Sequence, residues 1–288
     1  MSMKKLSLFF ILIIYLIFIL SFPNLIKTKL ISTTILFVTT VMPSILPMYL
    51  ICSLLSNSPL LSSNLYPFFK KIMHFENPTS CSLYLLSILL GNPTIAILIN
   101  NAVQQKTISN KEAQRITNFT FFMNPLFIIN TCGKFSFILI LGSIISSILI
   151  GYFSKNNNYN HTLKTSYTSF LEIVNHIPSM LLNILAIMLV ITIIKSPWET
   201  LNFSWQISFL LDLLEVSLGV KNIINYSNPN LIKFILLNIL LHSNGLCVLL
   251  QVSIFSKYLP FKKLIYKKIV ATIITTIISL FIYFVFNC

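Results

Sequence analysis

Small uncharged polar residues interrupt the apolar runs of this chain and are the best candidates for binding a solute. They stand at three breaks: Gly91-Asn92-Pro93, Asn124-Pro125 and Ser243-Asn244-Gly245. Proline lacks the N–H that a helix needs and keeps the residue before it out of the α conformation. A break at membrane depth leaves backbone groups that hydrocarbon cannot pair, so it persists only where protein or a water-filled cavity covers it. The breaks therefore predict a substrate-binding site.

Two kinds of hydrogen-bond donor are expected at these breaks. A half-helix that begins after Pro93 or Pro125 would direct free N–H groups and the positive end of its dipole at the break, which favours an anion. Polar side chains would add neutral hydrogen bonds: Asn92, Asn124, Ser243 and Asn244. The alternative for Asn92 and Asn124 is a helix cap beside proline, and the sequence leaves both roles open.

Glu215 is the charged candidate for the same site, because a carboxylate inside an apolar stretch is costly and marks a functional position by default. It would bind a coupling cation, a proton or a ligand amide. The alternatives are an ion pair with a lysine at a helix end, or a protonated carboxyl that holds two segments together. Asp212 would share its helix face. Arg115 is expected to pair locally with Glu112 rather than reach a ligand carboxylate.

The composition sets the class of protein. The chain is 56% hydrophobic and 9% charged, and its mean hydropathy is +0.86. These values exclude a soluble globular domain and predict an all-α, polytopic membrane protein. The length of 288 residues holds several apolar spans of roughly 20 residues each. A single integral domain is expected, with no soluble domain attached.

The net charge of +14 is expected for a membrane protein whose cytoplasmic loops are rich in lysine and attract anionic lipid. The basic residues are scattered between spans, so no nucleic-acid partner is expected. Residues 257–268 carry the strongest cytoplasmic signal, while the overall orientation stays open. The expected partners are membrane lipid and a small anionic substrate, and a homo-oligomer is left open.

Catalytic and metal-binding patterns are missing from the sequence. The five cysteines form no CxxC pair, and the four histidines form no HExxH motif. No glycine-rich phosphate loop is present, and among the six acids only Asp212 and Glu215 stand close together. The sequence therefore predicts a protein that is not an enzyme and uses no cofactor and no metal.

The chain divides into two similar halves. Residues 1–29 are expected to hold an N-terminal membrane helix and its connection, and a polar connection follows at 154–169. Each half, 30–153 and 170–288, begins with a proline-marked helix and later has a polar break within an apolar run. Interrupted segments at corresponding places in two halves are typical of transporters whose site lies at the repeat interface. The fold expected is two related, inverted repeats with broken or re-entrant helices.

Several motifs together resemble one known family. In chain order they are Met42-Pro43-Ser44-Ile45-Leu46-Pro47, the Gly91-Asn92-Pro93 break, Glu112-Ala113-Gln114-Arg115 followed by Asn124-Pro125-Leu126-Phe127-Ile128, Leu214-Glu215-Val216-Ser217-Leu218-Gly219, and Ser243-Asn244-Gly245-Leu246-Cys247-Val248. The chain resembles the YlbJ-type sporulation integral membrane proteins, which contain the "nucleoside recognition" gate domain. The resemblance covers roughly residues 30 to 285.

The resemblance implies a relative of concentrative nucleoside transporters that moves dipicolinic acid across the membrane around the forespore of a spore-forming bacterium. Two breaks depart from the family pattern. The first is usually Ser-Gly-Tyr-Pro where this chain has Leu90-Gly91-Asn92-Pro93, and the last usually carries two glycines where this chain has Asn244-Gly245. The alternatives are a nucleoside-type transporter and a non-transporting assembly factor of the sporulation membrane.

Overall fold

A computed structural model describes residues 3–56, 59–154, 169–201 and 203–287. The described residues form helices joined by short turns and contain no β-strand, which confirms the all-α prediction. The helices are α1 Met3–Ser21, α2 Pro23–Leu36, α3 Met42–Ser56, α4 Pro59–Met73, α5 Pro78–Leu90, α6 Thr94–Gln104, α7 Asn110–Phe119, α8 Pro125–Cys132, α9 Ser136–Phe153, α10 Phe170–Glu199, α11 Trp205–Asp212, α12 Val216–Asn225, α13 Asn230–Ser243, α14 Gly245–Phe255 and α15 Phe261–Asn287.

Five helical stretches within the described residues are long and apolar enough to cross a membrane. They are Pro23–Ser56, Pro125–Phe153, Phe170–Glu199, Asn230–Phe255 and Phe261–Phe286. The shortest has 26 residues, which makes it about 39 Å long at 1.5 Å per residue against a hydrocarbon core of about 30 Å. The chain is therefore a multi-pass membrane protein, as predicted.

The first of these stretches is bent by its prolines without being divided. Helices α2 and α3 run together through a π-helical segment, Phe37–Val41, which ends just before Pro43. Proline removes a backbone donor, and a wider turn is one way in which a helix absorbs that loss. Pro47 lies inside α3. The sequence predicted a kinked helix or two pieces here, and the structure has the continuous form.

Four of the shorter helices fold as two pairs, each joined by a tight turn. Helix α5 packs against α6, and α11 packs against α12. Helix α15 packs against both α9 and α13, and α10 packs along α2. The turn between α11 and α12 divides the stretch 207–218, which the sequence analysis treated as one apolar piece.

The repeat boundaries stay a prediction, and residues 155–168 of the polar connection lie outside the described residues. The expected cap of α7 is present, because the N–H of Glu112 donates to Oγ of Ser109 at 3.0 Å. The carboxylate of Glu112 is bidentate to Arg115, with both distances 2.7 Å, and this confirms the predicted local pairing.

Candidate functional site

The first break pair consists of residues 91–93, between α5 and α6, and residues 120–124, between α7 and α8. The backbone N–H of Asn92 donates to the carbonyl of Phe122 at 2.7 Å, and its side-chain amide donates to the carbonyl of Thr120 at 3.1 Å. Each break thus supplies hydrogen-bond partners to the other. Buried backbone groups need such partners, since hydrocarbon offers none.

Gly91 is the residue that lets the two breaks approach so closely. Its φ of +64° lies in the left-handed region, which glycine adopts without steric penalty. A Cβ at this position would collide with the backbone of Met123 and Asn124. The glycine predicted as a binding residue therefore serves backbone contact between the two breaks.

Asn92 and Asn124 have different roles, although their sequence contexts are alike. Oδ1 of Asn124 accepts from the N–H of Leu126 at 2.9 Å and of Phe127 at 3.3 Å, so Asn124 is the cap of α8, with Pro125 as its first helical residue. Its amide also donates to the carbonyl of Ser44 at 3.0 Å. The side chain of Asn92 makes no cap and joins the two breaks instead.

The second break pair consists of residues 213–215, between α11 and α12, and residues 244–247, where α13 gives way to α14. The N–H of Leu246 donates to the carbonyl of Leu213 at 2.8 Å, and the N–H of Cys247 donates to that of Leu214 at 2.9 Å. Gly245 has a φ of +51°, and a Cβ there would meet Val216 and the Leu213 carbonyl. The construction of the first pair is repeated here.

Glu215 caps α12 by accepting backbone hydrogen bonds from Ser217, at 2.9 Å, and from Leu218. Asp212 ends α11, so the helix is interrupted between the two acids and they do not share a face as predicted. The buried carboxylate of Asp212 instead accepts from Lys195, Asn222 and Tyr226 at 2.7 to 3.0 Å. Asp212 is thus an internal ion-pair partner.

Both break pairs border one central cavity. Its described lining contains five residues with polar side chains, and none that is basic: Asn92, Asn124, Glu215, Ser217 and Gln251. Pro93, Met123 and Phe127 join residues of α3, α10 and α14 in the rest of the wall. The cavity measures about 30 Å³, which is room for one or two water molecules.

The predicted site residues are therefore only partly brought together. Four of them line the central cavity: Asn92, Pro93, Asn124 and Glu215. Ser243 lines a separate apolar groove on the outside of α13 and α15. Asn244 is the left-handed C-cap of α13, and its buried side-chain amide has no hydrogen-bond partner among the described residues.

The helix N-termini at the breaks are not free to bind an anion, contrary to the expectation. The first N–H groups of α8 bond to Asn124, and those of α12 bond to Glu215. Those of α14 bond to the carbonyls of Leu213 and Leu214. The prediction concerned only the helices after Pro93 and Pro125, which are α6 and α8. Asn124 caps α8, and in α6 the N–H groups of Ile95 and Ala96 donate to the carbonyls of Gly91 and Pro93.

Gln251, Ser217 and Lys268 were missed by the sequence analysis. Gln251 is a polar residue in the apolar run of α14, one helical turn after Cys247, and this isolation was the available signal. Lys268 was counted with the surface lysines, yet its side chain is buried and donates to the carbonyl of Thr120 at 3.4 Å. It also lies 5.8 Å from the centre of the Phe121 ring.

A second, larger cavity has one lining residue, Ser217, in common with the central cavity. It measures about 550 Å³ and is bordered by α2, the π-helical segment, α8 and α12. Many of its lining residues are polar: Ser32, Thr39, Thr40, Asn130, Thr131, Ser217, Lys221 and Asn225. Thr40 faces this cavity, while its neighbour Val41 lines the central one. The π-helical segment therefore stands between the two.

Comparison with protein-family models, with curated proteins and with solved structures finds no match to this chain. The resemblance to the YlbJ-type proteins accordingly stays a prediction. What the geometry establishes is a multi-pass helical membrane protein with two self-paired helix breaks beside one small, mainly apolar cavity that contains a few polar side chains.

Proposed function

We propose that this protein is an integral membrane transporter of a small polar organic solute, which binds in the central cavity between the two break pairs. The observation that carries the proposal is the meeting of both pairs at one cavity, where Asn92, Asn124 and Glu215 stand in a mainly apolar wall. Interrupted helices that line a cavity are characteristic of secondary transporters. The larger cavity shares Ser217 with the central one, and we propose that the solute enters from that side.

The conformation described here is an occluded one under this proposal. A cavity of about 30 Å³ is too small for an organic solute, so binding requires the breaks to separate. Only a few hydrogen bonds join the two breaks of each pair, and the turns at 91–93 and 213–215 are the parts that would move. Transport then alternates between paired and separated breaks.

Dipicolinate remains the proposed substrate, since the sequence resemblance implies it. The carboxylate of Glu215 in the cavity would repel this dianion. Two unit charges 4 Å apart at an effective dielectric constant of about 20 repel by about 4 kcal/mol. A neutral hydrogen bond contributes about 1 kcal/mol, so amides alone do not offset that repulsion. We infer that a carboxylate solute passes together with a proton or a cation that neutralises Glu215.

The test is the flux of labelled dipicolinate into liposomes that hold the purified full chain, with uridine as comparison. Asn92→Leu should abolish the flux, because it removes a cavity amide and the bond to Thr120. Asn230→Leu, an exposed position at the start of α13, is the matched control and should transport normally. Uridine flux in place of dipicolinate flux would assign a nucleoside-type substrate.

A second candidate function is a non-transporting assembly factor of the sporulation membrane. The observation that favours it is the mutual saturation of the breaks, which lets them act as rigid connections. Folded protein that carries neither solute, in wild-type form and in the Asn230→Leu control, would decide for this second function.

A further inference from the structure

A basic cavity lies on the surface where α7 meets the start of α15, away from both break pairs. It measures about 630 Å³. The lining from α7 is Lys111, Gln114, Arg115 and Asn118, and that from α15 is Lys262, Lys263, Tyr266 and Lys267. None of the described residues that line it is acidic. The cavity is therefore strongly cationic.

The charge of the α15 lysines is not neutralised within the part of the chain that the structure describes. Arg115 is satisfied by Glu112, whereas Lys262, Lys263 and Lys267 are exposed and form no ion pair with a described residue. All three lie in the first two turns of α15, where the helix dipole is positive and disfavours cations. An anion in the cavity would reduce both the repulsion among the lysines and the repulsion between the lysines and the helix dipole.

A separate apolar groove lies further along α15. It measures about 400 Å³, and its walls are Leu213, Ile239, Ser243, Ile269, Thr272, Ile273, Thr276 and Ile277. Lys262, Tyr266, Ile269 and Ile273 follow one another at spacings of four, three and four residues. This spacing places them on one face of the helix, so residues of the cationic cavity and of the apolar groove follow one another along that face.

The dimensions match one leaflet of a bilayer. Eleven residues separate Tyr266 from Ile277, which is about 16 Å along a helix axis, and half of the hydrocarbon core is about 15 Å thick. Tyr266 is 65% exposed and stands between the lysines and the apolar groove. Tyrosine is enriched at this level of a membrane, between headgroups and hydrocarbon.

We propose that this surface is a specific binding site for an anionic phospholipid. The phosphate lies among Lys262, Lys263 and Lys267, and one acyl chain lies in the groove along Ile269, Ile273 and Ile277. The groove selects lipid over a free phosphate, because a soluble anion would leave the apolar part of the site empty. The site does not depend on the transport proposal.

The test is lipid binding to the purified full chain in neutral detergent, followed by native mass spectrometry. Phosphatidylglycerol, phosphatidylcholine and soluble glycerol phosphate are added separately. Wild-type protein should retain phosphatidylglycerol and bind the other two at least tenfold more weakly. Replacement of all three lysines by glutamine, K262Q/K263Q/K267Q, should weaken phosphatidylglycerol binding roughly 100-fold, since each lysine near a membrane surface contributes about a factor of five.

Two further variants keep this test decisive. The matched control K27Q/K70Q/K71Q removes the same charge from exposed lysines elsewhere and should bind phosphatidylglycerol as wild type does. Ile273→Trp, at an exposed groove position, should weaken phosphatidylglycerol binding while leaving the folded state intact. Equal losses in the two triple variants, full binding by K262Q/K263Q/K267Q, or glycerol phosphate binding as tight as that of the lipid would each overturn the proposal.

Discussion

The two break pairs share one backbone design but differ in the charge placed beside them. In each pair a turn between short helices bonds to the interruption of another helix, and a glycine with positive φ permits the close approach. The first pair is accompanied by a buried cation, Lys268, and its own polar side chains are neutral. The second is accompanied by a buried anion, Glu215, which also lines the cavity.

This difference shows that pairing the breaks and recognising a solute are separable tasks. Backbone hydrogen bonds and the two glycines Gly91 and Gly245 satisfy the interrupted helices in both pairs. The side chains are then free to differ. Only the second pair presents a carboxylate to the cavity, so under the proposed function the charge of the solute would be distinguished by Glu215.

The largest loss of stability is expected on replacing Lys195, because this buried lysine forms ion pairs with Glu199 and Asp212. Lys195→Met leaves Asp212 buried without its cation and should lower the free energy of unfolding by about 3 to 5 kcal/mol. Lys268→Met removes a buried cation that forms no ion pair with a described residue, and it should change stability by less than about 1 kcal/mol. Thermal unfolding in detergent measures both, and equal losses would mean that Lys268 has an essential partner.

The next effect concerns the close approach of the breaks. Gly91→Ala places a methyl group against the backbone of Met123 and Asn124 and should destabilise the fold by about 3 kcal/mol, from strain together with the collision. Gly133→Ala is the matched control, since Gly133 also has a positive φ but has open space around its Cβ position. It should cost about 1 to 2 kcal/mol. Unfolding midpoints that fall equally would contradict the proposed role of Gly91.

The smallest effect on stability is expected from a change that separates the charge of Glu215 from its function as a helix cap. Glu215→Gln keeps an oxygen acceptor for the first turn of α12 and should lower stability by only about 1 kcal/mol. Affinity for dipicolinate should rise by up to about a thousandfold, which is the factor that corresponds to removing a repulsion of about 4 kcal/mol. Asn124→Asp is the opposite change at the cap of the first pair, and it should weaken dipicolinate binding. Unchanged affinity in both variants would place the solute elsewhere.

The sequence identified the breaks that have a local chemical cause. Pro93 and Pro125 each lack a backbone donor and restrict the Asn before them, so Gly91-Asn92-Pro93 and Asn124-Pro125 were recognisable without a structure. The turn at 213–215 was not, because Leu213 and Leu214 are ordinary helix formers. That turn depends on hydrogen bonds from Leu246 and Cys247, more than thirty residues away in the chain.

The roles of individual polar residues were less predictable than the breaks. Lys267 and Lys268 are neighbours in sequence, yet one is exposed and the other is buried, since each residue turns the helix by about 100°. Asn92 and Asn124 both precede proline, and only the structure distinguishes the residue that joins two breaks from the one that caps a helix. Local pattern does not determine which neighbour a side chain meets.

The ion pairs around Lys195 also constrain how the chain enters the membrane. Lys29 of α2 bonds to Glu199 at 2.6 Å, Glu199 bonds to Lys195 at 3.0 Å, and Lys195 bonds to Asp212 at 3.0 Å. Each of these charges is expensive to insert alone, whereas the four together are neutral. Lys29 in α2 therefore acquires its partner Glu199 only after α10 has been synthesised. These ion pairs connect α2, α10 and α11 in the folded protein.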